Sequence, residues 1–152
     1  MRRGARIAFV GVVALGLFLG AAVFAQMKQE TLYKRLGGYD ALAAVTDDFI
    51  GRMAGDPELG RFFKHHSKDS LGKIRQLVVD QLCNATGGPC IYTGRSMKTV
   101  HDGLNITEAH WEIAVKHLVA TLDKFKVPAK EKGEVLAAIS SMKGDIVTAG
   151  AK

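Results

Sequence analysis

Apolar residues recur along this chain at helical spacing, and no segment alternates in the two-residue rhythm of a strand. Leu42, Val45, Phe49 and Met53 form one stripe, preceded by Gly37-Gly38 and followed by Gly55-Asp56-Pro57. Asp56 suits the cap of a short helical turn that has Pro57 at its first position. Leu71, Ile74, Val78 and Leu82 form a second stripe, ended by Gly87-Gly88-Pro89. A short helix is expected from Arg95 to His101, stopped by Asp102-Gly103. Thr107 caps a long helix with Glu108 in its first turn, and its buried face would be Trp111, Val115, Leu118, Leu122 and Phe125. Pro128 opens the last helix, with Val135, Ile139, Met142 and Ile146 on one face. The result is roughly six helices of unequal length, none with coiled-coil heptads, which predicts an irregular all-α domain with oblique crossings.

A different pattern precedes these helices. Residues 1–6, MRRGAR, carry three positive charges, and Ile7 to Ala25 contains no charged side chain. A basic start, an apolar run and Val23-Phe24-Ala25 at its end read as a secretory signal cleaved after Ala25. The nineteen residues of the run also suffice to span a bilayer, so an uncleaved inner-membrane anchor is the rival reading. Either way residues 26–152 form one exported domain, expected in the periplasm, and only residues 7–25 would touch a membrane. No Cys lies near the end of the run, which argues against a lipid anchor.

The chain's formal charge is +6, and loss of Arg2, Arg3 and Arg6 with the signal leaves +3. That mild, evenly spread balance does not favour nucleic acid as a partner. Cys83 and Cys90 are the only cysteines. In an exported chain they close the NATGGP loop as a disulfide, or they persist as two reduced structural thiols.

Histidines 65, 66, 101, 110 and 117 are the candidate ligands. The chain has no HExxH, no CxxCH and no CxxC, and no His stands at zinc-finger spacing from the cysteines. Ser140-Ser141 lacks a GxSxG elbow, and the Gly-Gly pairs lack the strand and Lys of a phosphate loop.

The run from Gly87-Gly88 through Tyr92-Thr93-Gly94 and Met97 to His101 resembles the segment that carries the haem-binding His in truncated haemoglobins. Leu32-Tyr33-x-x-Leu36-Gly37-Gly38 matches a second signature of that family, and Phe62-Phe63 after Asp56-x-x-Leu59 a third. The resemblance runs from about Thr31 to Val147 and is nearest the family's first group. It implies a truncated-globin fold, a haem b cofactor and an iron held by His101, with the opposite face open to a diatomic gas. A backbone carbonyl is the expected acceptor for the second ring nitrogen of His101. Candidate haem-lining residues are Phe49, Phe63, Ile74, Val78, Leu82, Tyr92, Met97, Ile106, Trp111 and Val115. The resemblance puts Phe63 where a Phe wedges against haem. Arg95 or Lys98 would pair with a propionate.

The distal side departs from the family. Where the family has an oxygen-binding Tyr after the Phe equivalent to Phe49, this chain has Ile50, and Ile74 and Val78 stand where a Gln is frequent. A donor is missing there unless Gln76, Gln81 or Tyr33 turns inward. Tight oxygen binding and nitric-oxide dioxygenation with a reductase are therefore weakened, and carbon monoxide or nitric oxide favoured. His65 and His66, in a stretch about three residues longer than the family norm, offer the alternative of a bis-His haem for electron transfer or redox sensing.

Overall fold

The computed structural model describes residues 30–148; the predicted signal or anchor, residues 1–25, lies outside them. Among the described residues the chain forms seven α-helices, one 3₁₀ turn and no strand. These are α1 (Leu32–Arg35), α2 (Gly38–Gly55), the 3₁₀ turn (Gly60–Phe62) and α3 (Lys68–Ala85), followed by α4 (Met97–His101), α5 (Glu108–Lys124), α6 (Ala129–Ser140) and α7 (Lys143–Ile146).

The starts follow side-chain capping. The hydroxyls of Thr31, Ser67, Ser96 and Thr107 each accept a backbone N–H three residues on, satisfying a donor the helix itself cannot. Gly37 and Gly38 turn the chain between α1 and α2 with φ of 97° and 80°, a region that excludes most side chains. Asp56 caps the turn after α2 as expected, its Oδ1 accepting from the N–H groups of Glu58 and Leu59.

The core is built by α2, α5 and α6. Val45, Leu118, Leu122 and Val135 are buried together, with Leu32, Leu36, Phe49, Val127, Leu136 and Ile139 packed around them. Burying each such side chain contributes roughly 1.5–3 kcal/mol. α3 lies across α2. Arg35 clamps the entry of the domain to α6, donating from Nη1 to Glu131 at 2.5 Å and from Nη2 to Glu134.

Four expectations are corrected. α4 begins at Met97 rather than Arg95, because Ser96 takes the cap position. Pro128 is itself the N-cap of α6, and the last helix is broken after Ser140, so Met142 and Ile146 leave the stripe of Val135 and Ile139. Phe125 ends α5 as an exposed residue at 39% of its surface instead of completing the buried face. On α3 the fully buried pair is Val79 and Cys83, whereas Leu71, Ile74, Val78 and Leu82 are only half-buried.

Candidate functional site

The five histidines separate cleanly by what their ring nitrogens already do. His110 sits 92% buried at the third position of α5, where its Nδ1 accepts the backbone N–H of Thr107 at 3.0 Å while Thr107 Oγ1 accepts the N–H of His110. That geometry consumes the lone pair and places the proton on Nε2. Nε2 then faces Arg61 Nη2 at 3.3 Å as a second donor, so this approach is packing rather than a hydrogen bond. Phe62 completes the cluster, edge-on to the His110 ring and beneath the Arg61 guanidinium. His117 is held by Asp56, Nε2 to Oδ2 at 2.8 Å, which ties α5 to the turn after α2. His66 pairs with Ser70, and both His65 and His66 are exposed.

His101 is arranged differently. Its Nδ1 donates to the carbonyl oxygen of Met97 at 2.8 Å, one turn back on α4. A carbonyl can only accept, so the proton is on Nδ1 and the Nε2 lone pair is free of any described partner. This is the ring state that a neutral imidazole needs to ligate a metal. No group of three or more His, Cys, Asp or Glu that could hold a metal ion is found among the described residues.

The remaining predicted residues follow α2, α3, α4 and α5. Phe49 is on α2, half-buried against the core. Phe63 directly follows the 3₁₀ turn. Ile74, Val78 and Leu82 fall at four-residue steps on α3 and so share one face. Met97 lies on α4, while Ile106 and Trp111 are buried beside the start of α5. Tyr92 precedes α4 and donates its hydroxyl to Arg95 O at 2.7 Å. Phe49, Phe63, Ile74, Val78, Leu82, Met97 and Val115 are all apolar, and all are only half-buried. A set of large apolar side chains with surface left to cover fits a large, flat, apolar group.

Of the three polar side chains read as able to turn toward the distal side, Gln76 and Gln81 hydrogen-bond elsewhere. Gln76 Nε2 donates to Tyr39 Oη at 2.8 Å and to Asp80 at 2.9 Å. Gln81 Nε2 donates to Met142 Sδ at 3.3 Å. The Tyr33 ring lies against Gly38 and Gly88, close enough to Gly88 that a Cβ there would meet Tyr33 Cδ2 at 2.6 Å.

Ser96 was not among the residues read as functional, although it caps α4 and so orients His101. Its signal was present as a Ser three residues before Thr99. The cysteines, left open by the sequence, form a disulfide between the last turn of α3 and the loop toward α4, with Cα atoms 5.7 Å apart.

The domain is all-helical, the Nε2 of His101 has no described partner, and large apolar side chains on α2, α3 and α4 keep part of their surface uncovered. The bacterial-like globin family matches residues 31–148, and the chain belongs to that family. Its relatives include the group 1 truncated haemoglobin of Mycolicibacterium paratuberculosis, 33% identical over 84% of this chain and 91% of that protein. Another from Nostoc commune is 32% identical over 77% of this chain and 97% of its own length. The Fe(III) crystal structure of Tetrahymena pyriformis truncated haemoglobin superposes with a TM-score of 0.72 at 27% identity, covering 78% of this chain and 98% of that one. The cofactor of this family is haem b, and its role is to bind a diatomic gas at the iron.

Proposed function

We propose that His101 holds the haem iron through Nε2 and that the protein binds carbon monoxide or nitric oxide in preference to oxygen. The observation that carries the preference is the engagement of Gln76 and Gln81 in hydrogen bonds elsewhere, beside the apolar Ile50, Ile74 and Val78. When bound, haem supplies an iron whose sixth position is open to a gas ligand. Everything else falls to the chain. Met97 O fixes the tautomer and direction of His101. Phe49, Phe63 and the α3 face of Ile74, Val78 and Leu82 cover the macrocycle and exclude water. Arg95 and Lys98, both exposed near α4, stand within the same segment to meet the propionates.

A well-aimed donor stabilises polar, partly anionic oxygen by roughly 1–3 kcal/mol, and gives much less to carbon monoxide. Without that donor, oxygen leaves fast. Reductase-coupled dioxygenation of nitric oxide is disfavoured for the same reason.

An almost wholly apolar cavity of about 110 Å³ lies between α2, α3, α5 and α6, lined by Leu42, Val45, Leu82, Leu118, Leu122 and Val135 among others. His101 and the rest of α4 take no part in its lining, so it stands apart from the proposed iron site.

The exported location is part of the same proposal. Residues 1–25 have the form of a secretory signal, and the Cys83–Cys90 disulfide suits an oxidising compartment such as the periplasm. Optical spectra of the haem-loaded protein test the iron site. A five-coordinate ferrous spectrum and an oxygen off-rate faster than that of the Ile50→Tyr variant are expected. A six-coordinate low-spin ferrous spectrum would point to His65 or His66 as a sixth ligand and overturn the gas-binding site.

A further inference from the structure

The helix that carries His101 has almost nothing of its own to hold it. α4 is five residues long and contributes no buried side chain. Its main helical neighbour is α7, four residues long and equally without a buried side chain. A helix this short is not stable by itself and takes its position from tertiary ties. Those ties run back along the chain that enters it. Tyr92 closes a turn onto Arg95 O, and Asn84 Nδ2 donates to Cys90 O at 3.1 Å. The Gly88 N–H donates to Cys83 O at 2.8 Å. The covalent member of the set is the disulfide, whose Cys83 is fully buried on α3 directly after Leu82.

We infer that the Cys83–Cys90 disulfide is a positioning element for His101: it fixes the approach to α4 against α3 and thereby sets how firmly haem is held. α3 carries Ile74, Val78 and Leu82, and the bond ties α3 to the loop that leads into α4, the helix of the proposed ligand. This rests on the reading of His101 as the ligand. The pair is also open to thiol chemistry at one end, since Cys90 is partly exposed and Cys83 is not. A dithiol reductant would attack Cys90 Sγ as a thiolate, releasing Cys83 as a thiolate that takes up a proton. Its second thiol then displaces Cys90, which is protonated in turn, and the reductant departs as its own disulfide. Two electrons and two protons pass to the pair.

The test compares haem-loaded wild type, the same protein reduced with dithiothreitol, and the Cys83→Ala/Cys90→Ala variant. Arg35→Gln serves as a control for stability, because it loosens α1 from α6 and leaves the disulfide intact. Haem transfer to excess apomyoglobin and the iron–histidine stretching band of the ferrous form are measured alongside Tm. Reduced and Cys-free proteins are expected to lose haem at least about tenfold faster, a change of about 1.4 kcal/mol, with the band shifted or broadened. Arg35→Gln is expected to lower Tm while leaving haem loss and the band nearly unchanged.

Equal haem loss in oxidised and reduced protein, or a band that reduction does not move, overturns the positioning role. Haem loss in Arg35→Gln as fast as in the reduced protein overturns it too, by assigning the effect to stability alone. Absence of any iron–histidine band in a five-coordinate ferrous wild type with its disulfide intact would instead overturn the His101 assignment, so the two failures are distinct.

Discussion

His101 Nδ1 lies 2.8 Å from the carbonyl oxygen of Met97, and that bond leaves the Nε2 lone pair for the proposed iron bond. The other four are capping α5, paired with Asp56, bonded to Ser70 or exposed to solvent. Substitution of Met97 by another residue keeps the carbonyl, so Met97→Leu is expected to retain haem with an unshifted spectrum. Its absorption spectrum checks this, and a lost Soret band would show that the Met97 side chain matters beyond its backbone.

The distal side predicts a gain rather than a loss. Ile50 is half-buried on α2, at the position where the resemblance implies an oxygen-binding Tyr. Ile50→Tyr is expected to slow oxygen dissociation about tenfold or more, equivalent to about 1.4 kcal/mol from one added donor. Carbon monoxide dissociation should change little. Stopped-flow ligand replacement measures both, and an equal change for the two gases would contradict an apolar distal pocket.

Gly88 packs where no side chain fits. A Cβ there would stand 2.6 Å from Tyr33 Cδ2, 2.7 Å from Cys83 Sγ and 2.8 Å from Cys83 O. The carbonyl belongs to the end of α3 and cannot move freely. Gly88→Ala is therefore expected to destabilise the fold by about 1–3 kcal/mol, read as a lower Tm in thermal unfolding. An unchanged Tm would mean that the loop shifts without cost.

Acid stability follows from the carboxylates. Arg52 first, then Lys124 and Thr121, hold the Asp48 carboxyl well below the usual range. His117 and the N–H groups of Leu59 and Glu58 lower Asp56, and Arg35 lowers Glu134. A carboxyl depressed in the folded state adds stability above its unfolded pKa, near 3.9 for Asp, and that stability is lost as pH falls through the folded value. Tm should thus be nearly flat from pH 7 to about pH 5 on account of these groups, then fall steeply below about pH 4. Asp48→Asn should shallow that fall, and a wild-type slope in this variant would contradict the assignment.

Much of this arrangement was legible beforehand. The apolar stripes located α2, α3 and α5, Thr107 marked a helix start, and the resemblance of the Tyr92–Met97–His101 run singled out His101 as the candidate ligand. What stayed hidden was tertiary. The Arg35 clamp joins residues 96 and 99 positions apart, which no local pattern encodes. His110 caps α5 in a place where Glu or Gln is the usual signal, so its role could not be read from spacing. On α3 the sequence showed a stripe but not which of two adjacent faces meets the core. The structure gives the core Val79 and Cys83 and leaves Ile74, Val78 and Leu82 half-covered. The break after Ser140 had no Gly or Pro to announce it.

Export has its own check. N-terminal sequencing of the protein from a periplasmic fraction is expected to begin at Gln26. Recovery only in the membrane fraction with residues 1–25 intact would replace cleavage with anchoring.

The proposed iron bond to His101 is removed in His101→Gly. Expressed with added haem, the variant should lack the five-coordinate ferrous spectrum of the wild type and regain it when free imidazole fills the vacated position. A His101→Gly protein that keeps haem with the wild-type spectrum, imidazole or not, would contradict the account.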